Sequence, residues 1–217
     1  MVSKFGAQKR ALVSQIGFGG MLKVPPIGKL ENKFSLSLLE KIDIKRRPIK
    51  LNDTTFIELC APDVHTFLFI PNGPKKLLGL EDRSPDEKMD FIRLGIGSLS
   101  HDIDEKNSLK AAEEIVTAEY PDGMSDTQAD QFKVSFVCFC MGNFLVAKYG
   151  SNHGIKDYWG SLLDPSAIAS YDFCQAVIYE IIDAARHVQK EKKVIRVVKN
   201  VSGCHFFLQV SLYVLLI

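Results

Sequence analysis

The sequence predicts a mainly α-helical fold, a single helical domain of about seven or eight helices with one small β-hairpin. Apolar residues recur at helical spacing in several segments that proline and glycine turns separate. Residues 131–147 are apolar nearly all round, as expected of a helix at the centre of a core. Only around Asn52–Asp53 does the apolar spacing change to two, with turn residues between short apolar stretches.

The first part of the chain predicts three helices and the hairpin. The first helix is expected to end in a glycine-rich kink, and Pro25–Pro26 stops it, because proline lacks the amide donor that a helix interior needs. The third helix is expected to open at a proline followed by an acidic residue, a favourable start for the helix dipole. The expected elements are a helix within residues 10–22, a helix over residues 34–42, a hairpin within residues 49–59 and a helix from Pro62 to residue 70.

Four further helices are predicted from their starting residues. Ser84 with Glu87, and Ser125 with Gln128, have the spacing of a capping box, in which each residue satisfies a free amide of the other. Ser108 is expected to cap a helix that extends to Tyr120. The longest helix is expected to start at Asp172 and to end in a basic segment. Residues 204–210 are expected to pack against the central helix at 131–147.

Composition limits the compartment and the class of partner. The 217 residues contain 27 Lys and Arg against 26 Asp and Glu, so net charge alone favours neither nucleic acid nor membrane surfaces. Five cysteines lie mostly in apolar runs, which predicts reduced thiols in a cytoplasmic or nuclear protein. No apolar run reaches the roughly 20 residues of a transmembrane helix. A mitochondrial location is the alternative, because no acidic residue precedes Glu31.

The sequence contains no recognisable catalytic or metal-binding constellation. Cys138 and Cys140 would point about 200° apart on a helix and cannot share one zinc ion. None of the five histidines has a second ligand three or four residues away. The prediction is therefore a protein that is not an enzyme and that uses no cofactor.

Two basic clusters and an apolar C-terminal tail are the candidate binding sites. Clustered cations can contact phosphates, although a solvated surface is the alternative. Contiguous apolar residues at a terminus indicate an interface with a protein partner or with a second copy of the chain. The candidate nucleic-acid-binding residues are Lys45, Arg46, Arg47, Lys50, Lys190, Lys192, Lys193 and Arg196. The candidate partner-binding residues are Leu212, Tyr213, Val214, Leu215, Leu216 and Ile217.

Several segments, taken in order, are similar to a helical region of plant transposon-derived proteins called the plant mobile domain. This region often precedes a SUMO-protease-like peptidase domain, which is not found in this sequence. The similar segments are KRALVSQIGFGGMLKVP, KFSLSLLEKID, IPNGP, FVCFCMGNFLVA, DYWGSLL and SGCHFFLQV. Phe69 departs from the pattern, because relatives tend to have a small residue there, and the tail departs because relatives continue into an acidic stretch.

The resemblance implies an α-rich fold, a plant source and no established catalytic residues. The expected organisation is a basic segment at residues 1–10, a helical domain at residues 11–210 and an apolar tail at residues 211–217. The leading hypothesis is a non-enzymatic protein-interaction module derived from a plant mobile element. Nucleic-acid binding through the basic clusters is the second hypothesis. A toxin or antidote acting at a plant fertility locus, with a mitochondrial variant, is the third.

Overall fold

The chain forms seven α-helices and one two-stranded antiparallel sheet within the residues that the computed structural model describes. Those residues are 2–25, 30–79, 81–84, 86–87, 108–147, 156–195 and 202–215. The helices are α1 (Ala7–Gln15), α2 (Asn32–Glu40), α3 (Ala61–Leu68), α4 (Ser108–Thr117), α5 (Asp126–Cys140), α6 (Phe173–Ile195) and α7 (His205–Leu215). Short 3₁₀ turns at Val2–Lys4, Gly19–Leu22, Lys156–Leu162 and Ile168–Ser170 join them. The predicted mainly α fold with a small hairpin is confirmed.

The hairpin consists of β1 (Ile49–Lys50) and β2 (Phe56–Ile57). Ile49 pairs with Ile57, and both side chains are buried. The turn between the strands is held by Asn52, whose side-chain oxygen accepts the backbone N–H groups of residues 54 and 55 at 3.0 and 2.7 Å. An asparagine oxygen that bonds the backbone two residues on is typical of such turns.

Helix α5 starts as the sequence predicts. The Ser125 side chain accepts the Gln128 N–H, and the Gln128 side chain accepts the Ser125 N–H at 2.9 Å, which completes the capping box. Every residue from Phe132 to Cys138 is buried. A π-helical turn, Met141–Leu145, continues the helix. The rings of Phe132 and Phe136 both contact the Phe5 ring edge-on, so the N-terminal residues cover this helix.

The helices pack in two groups. Helix α5 packs against α1 and α4, while α6 packs against α2 and α3. Helix α6 begins at the predicted position, because the Asp172 carboxylate accepts the Gln175 N–H at 2.8 Å and caps the first turn. Its predicted apolar stripe is buried along its whole length. The stripe consists of Phe173, Val177, Ile181, Ala184 and Val188.

Two predicted details are wrong. The first helix spans Ala7–Gln15 rather than residues 10–22, although it ends, as predicted, at a glycine-rich kink, where Gly17 has a φ of +79°. Helix α7 packs mainly against α2 and α3 rather than against α5. Its link to the central segment is local, through the Phe206 and Phe144 rings, whose centroids are 5.3 Å apart.

The predicted capping box at Ser84 is present, with Ser84 N–H donating to Glu87 at 2.8 Å and Glu87 N–H donating to the Ser84 hydroxyl at 3.3 Å. The remainder of that predicted helix lies outside the described residues. Within the described ranges, no helix combines the length and apolar character needed to cross a membrane.

Candidate nucleic-acid interface

The first basic cluster is displayed by a turn that Asp43 builds after α2. One carboxylate oxygen of Asp43 accepts the backbone N–H groups of Lys45 and Arg46 at 2.8 and 3.0 Å. These hydrogen bonds, led by that from Arg46, hold the pKa of the Asp43 carboxyl below its ordinary value. The Asp43 carbonyl also accepts the Arg47 N–H at 2.6 Å. The acidic side chain is therefore used inside the turn, and the cationic side chains of residues 45–47 are exposed.

Arg47 connects this turn to helix α6. Its backbone has a φ of +71°, a left-handed conformation that is unusual for a residue other than glycine. Its guanidinium carbon lies 5.6 Å from the centroid of the Tyr179 ring, a cation–π contact. Tyr179 is 54% exposed on the solvent side of α6.

The end of α2 is fixed to α6 a few turns farther along. The Gln189 side-chain amide donates to the backbone oxygens of Leu39, Glu40 and Ile42 at 3.1, 3.4 and 2.9 Å. These carbonyls include the last ones of α2, which have no partner within the helix. Lys192 forms an ion pair with Glu40. Tyr179 and Gln189 lie ten residues apart on α6, a distance of about 15 Å. Contacts at these two positions therefore hold the end of α2 and the turn that follows it along α6.

A charged stripe runs along the solvent side of α6. Tyr179, Asp183, Arg186, Lys190 and Lys193 follow one another at intervals of four, three, four and three residues, so they share one helix face. This face is opposite the buried stripe. The single carboxylate, Asp183, pairs with Arg186 at 2.6 Å. The stripe and the turn at residues 43–47 together form one surface, which we call the cationic face.

The structure brings together the two predicted basic clusters, although about 140 residues separate them in the sequence. Five candidates are exposed and have no ion-pair partner among the described residues, namely Lys45, Arg46, Arg47, Lys190 and Lys193. The other two described candidates are paired, Lys50 with Asp53 at 2.8 Å and Lys192 with Glu40. Arg196 lies outside the described residues. The candidate residues predicted from the sequence do not include Tyr179. Arg186 belongs to the predicted basic end of this helix but is not among the candidates either, although its spacing from Lys190 places it on the same face.

The described candidate residues of the tail belong to helix α7 rather than to a separate segment. Leu212 is 3% exposed and lies in the core, so it is not available to a partner in this conformation. Helix α7 runs without interruption across the expected boundary at residue 211 and includes residues 213–215. The side chains of Tyr213, Val214 and Leu215, and all of Leu216 and Ile217, lie outside the description.

A cleft of about 670 Å³ separates the N-terminal residues from the end of α4, but a lysine of the chain itself occupies its polar part. Lys9 Nζ donates to the carbonyls of Val116 and Ala118, both at 2.7 Å, and lies 5.5 Å from the Tyr120 ring centroid. Burial lowers the pKa of Lys9, and Glu119 opposes this effect. Lys9 thus caps the C-terminus of α4, which is a structural role.

The buried titratable groups also have structural roles. Burial raises the pKa of the Cys138 and Cys140 thiols, and it raises the pKa of Cys174 and Cys204 to about 12. Such thiols are neutral and unreactive at physiological pH. All five cysteines are free, and Cys60 is the one that is partly exposed. Among the described residues, no group of three or more potential ligands is arranged to hold a metal ion.

The fold and the cationic face define a small, mainly α-helical domain with a charged helix surface. The chain belongs to the family described as Domain of unknown function (DUF8566), whose model matches residues 1–209. Comparison with curated proteins and with solved structures finds no significant match. The family description carries no function and no connection to the plant mobile domain, so that resemblance stays a prediction.

Proposed function

We propose that this chain is a non-enzymatic binding module that contacts the phosphate backbone of nucleic acids through its cationic face. The observation that carries the proposal is the alignment of residues 45–47 with the Arg186–Lys193 part of α6. Neither cluster alone offers more than a few cations. Together they present exposed positive charge along about 15 Å of helix, a distance that covers several phosphates.

The amino acids in this face are arranged to keep that charge available. Asp43 is engaged by backbone amides, and Asp183 is paired with Arg186. Five cations therefore form no ion pair in the described part of the chain, although the carboxylate of Asp43 attracts two of them, Lys45 and Arg46. If all five neutralise phosphates, the logarithm of the association constant should fall with the logarithm of the salt concentration with a slope of about −4.5.

The test is fluorescence anisotropy of labelled DNA titrated with the protein at several salt concentrations. Affinity should fall roughly 500-fold between about 50 and about 200 mM salt. The double variant Lys190→Gln, Lys193→Gln should make the slope shallower by about 2. Lys110→Gln is the matched control, because Lys110 is an exposed lysine on α4, which packs against α5. Absence of binding, or binding that is independent of salt, would refute the proposed function.

A protein partner is the second candidate function, and Phe69 is the observation that favours it. This side chain is 57% exposed at the end of α3, in a left-handed conformation with a φ of +47°. Strained residues that a fold maintains often belong to functional sites. We propose a second copy of the chain as the occupant. Phe69→Asn should then abolish concentration-dependent dimerisation measured by light scattering, because asparagine tolerates the left-handed backbone.

Phe56→Thr is the matched control for that experiment, since Phe56 is 53% exposed and lies in a strand that accepts threonine. Equal loss of association in both variants would indicate non-specific hydrophobic contact. A monomeric wild-type protein would refute this second candidate.

The expectation that the tail itself binds a partner requires a deletion that spares the core. Removal of residues 213–217 retains the buried Leu212, whereas removal from residue 212 would open a cavity. If the tail forms an interface, the shorter deletion should change the oligomeric state or the bound partners of a folded protein. Unchanged behaviour would refute the tail hypothesis.

The ancestry and compartment that the resemblance implies are proposals of the same kind. The first proposal is an origin in a plant mobile element, and a toxin or antidote role is its most specific form. An experimental structure of a plant mobile domain with the same order of helices would support that origin. A different helix order would overturn it. A fluorescent fusion would distinguish a cytoplasmic or nuclear location from a mitochondrial one.

A further inference from the structure

The cationic face contains an aromatic group that charge neutralisation does not require. The Tyr179 ring is more than half exposed, while its neighbours Ile178 and Glu180 are 1% and 9% exposed. It stands on the same stripe as Arg186 and Lys190. A tyrosine at this position adds a flat π surface to the row of cations.

The turn after α2 places a second planar group against this ring. The Asp43 hydrogen bonds to residues 45–47 hold Arg47 in its left-handed conformation, and Asp43 N–H donates in turn to the Pro48 carbonyl at 2.9 Å. The guanidinium then lies over the Tyr179 ring. The structure therefore maintains an unfavourable backbone conformation that positions the arginine on the ring.

Stacked arginine and tyrosine groups offer faces on which nucleobases stack. A duplex presents its phosphates to such a surface but keeps its base faces within the helix, whereas a single strand exposes both. Phosphate contacts alone do not recognise this difference in base exposure. An exposed π surface within a cationic face therefore fits a strand with unpaired bases better than a duplex.

We propose that Arg47 and Tyr179 form a stacking site for an unpaired base, so that this protein prefers single-stranded nucleic acid to duplex. This inference rests on the proposed function. The cations at residues 45, 46, 190 and 193 track the backbone on either side of the site. The preference originates in the stack, and the salt dependence originates in the cations.

The experiment compares anisotropy titrations with labelled oligothymidine and with a labelled duplex of the same length, using the full chain. Tyr179→Leu, which removes the π system but keeps an apolar side chain, should weaken oligothymidine binding at least fivefold more than it weakens duplex binding. Tyr179→Phe is the matched control and should retain the preference. Circular dichroism should show the same helix content in all three proteins, because this side chain is largely exposed.

The outcomes separate the two proposals. Equal, salt-dependent binding of wild-type protein to both probes would overturn the stacking site and leave the phosphate-binding function intact. Equal weakening of both probes by Tyr179→Leu would also overturn it, because the residue would then support the cationic face in general. Loss of all binding in the wild type would refute the proposed function itself.

Discussion

Ser135→Ala should stabilise this protein, although it removes a polar group from a fully buried position. Ser135 lies in the middle of α5 with no exposed surface, and its hydroxyl has no hydrogen-bond partner among the described residues. A buried hydroxyl without a partner costs about 1–3 kcal/mol of desolvation. Alanine also has a higher helix propensity than serine, by roughly 0.5 kcal/mol.

The opposing effect is small. Removal of one oxygen leaves a void of roughly 10–15 Å³, which costs about 0.3 kcal/mol at about 24 cal/mol per Å³. The expected net gain in the free energy of unfolding is therefore about 2 kcal/mol. For a chain of this length, that gain corresponds to a rise in Tm of about 4–8 °C.

Ser161→Ala provides a matched comparison, because Ser161 is also buried but its hydroxyl accepts the Leu78 N–H at 2.6 Å. Its removal leaves a part-buried amide without this partner and should cost about 1–3 kcal/mol. Urea unfolding followed by circular dichroism measures both variants. A loss of stability in Ser135→Ala similar to that in Ser161→Ala would show that the Ser135 hydroxyl is satisfied, and the reasoning would fail.

Three other predictions test the packing. Gly20→Ala should destabilise the protein by roughly 3 kcal/mol in urea titrations, because a Cβ at Gly20 would lie 2.0 Å from the Leu68 carbonyl oxygen. Gly19→Ala is the control and should change stability by less than about 0.5 kcal/mol, because the nearest atom to its Cβ would be 3.6 Å away. Similar effects at both glycines would contradict this account. Gln189→Leu should cost about 1–3 kcal/mol in the same assay, since the carbonyls of Glu40 and Ile42, at and just after the end of α2, lose the Gln189 amide as a donor. An unchanged midpoint would contradict that role. Burial on folding raises the pKa of Cys204 from about 9 to about 12, so its contribution to stability is fully present below about pH 9 and is lost as the pH rises towards 12. Above about pH 9, the free energy of unfolding of Cys204→Ala should therefore fall less steeply with pH than that of the wild type, by about 1 kcal/mol per pH unit. An equally steep fall in the variant would show that other titrating groups cause it.

The sequence predicts some elements better than others, and the difference follows from the range of the interactions. The start of α5 depends on Ser125 and Gln128, three residues apart, and the start of α6 depends on Asp172 and the amide of Gln175. Such contacts are local, so spacing reveals them. The glycine-rich kink that ends α1 is also visible in the sequence, but only the structure shows that the helix stops at Gln15 and that Gly17 has a positive φ.

The candidate site divides in the same way. The basic residues of each cluster are visible in the sequence, but the sequence does not show that they share a surface. That proximity depends on hydrogen bonds from Gln189 to the end of α2 and on the contact between Arg47 and Tyr179, which join positions more than 130 residues apart.

By itself, the sequence determined the mainly helical fold, the hairpin, the capping boxes and the buried stripes of α5 and α6, because each of these follows from residues within a few positions of one another. Only the tertiary structure decided that α7 packs on α2 and α3, that Leu212 belongs to the core, and that the two basic clusters form one face. Pairing between distant helices depends on side-chain shape and on closure of long loops, and neither is encoded in local periodicity.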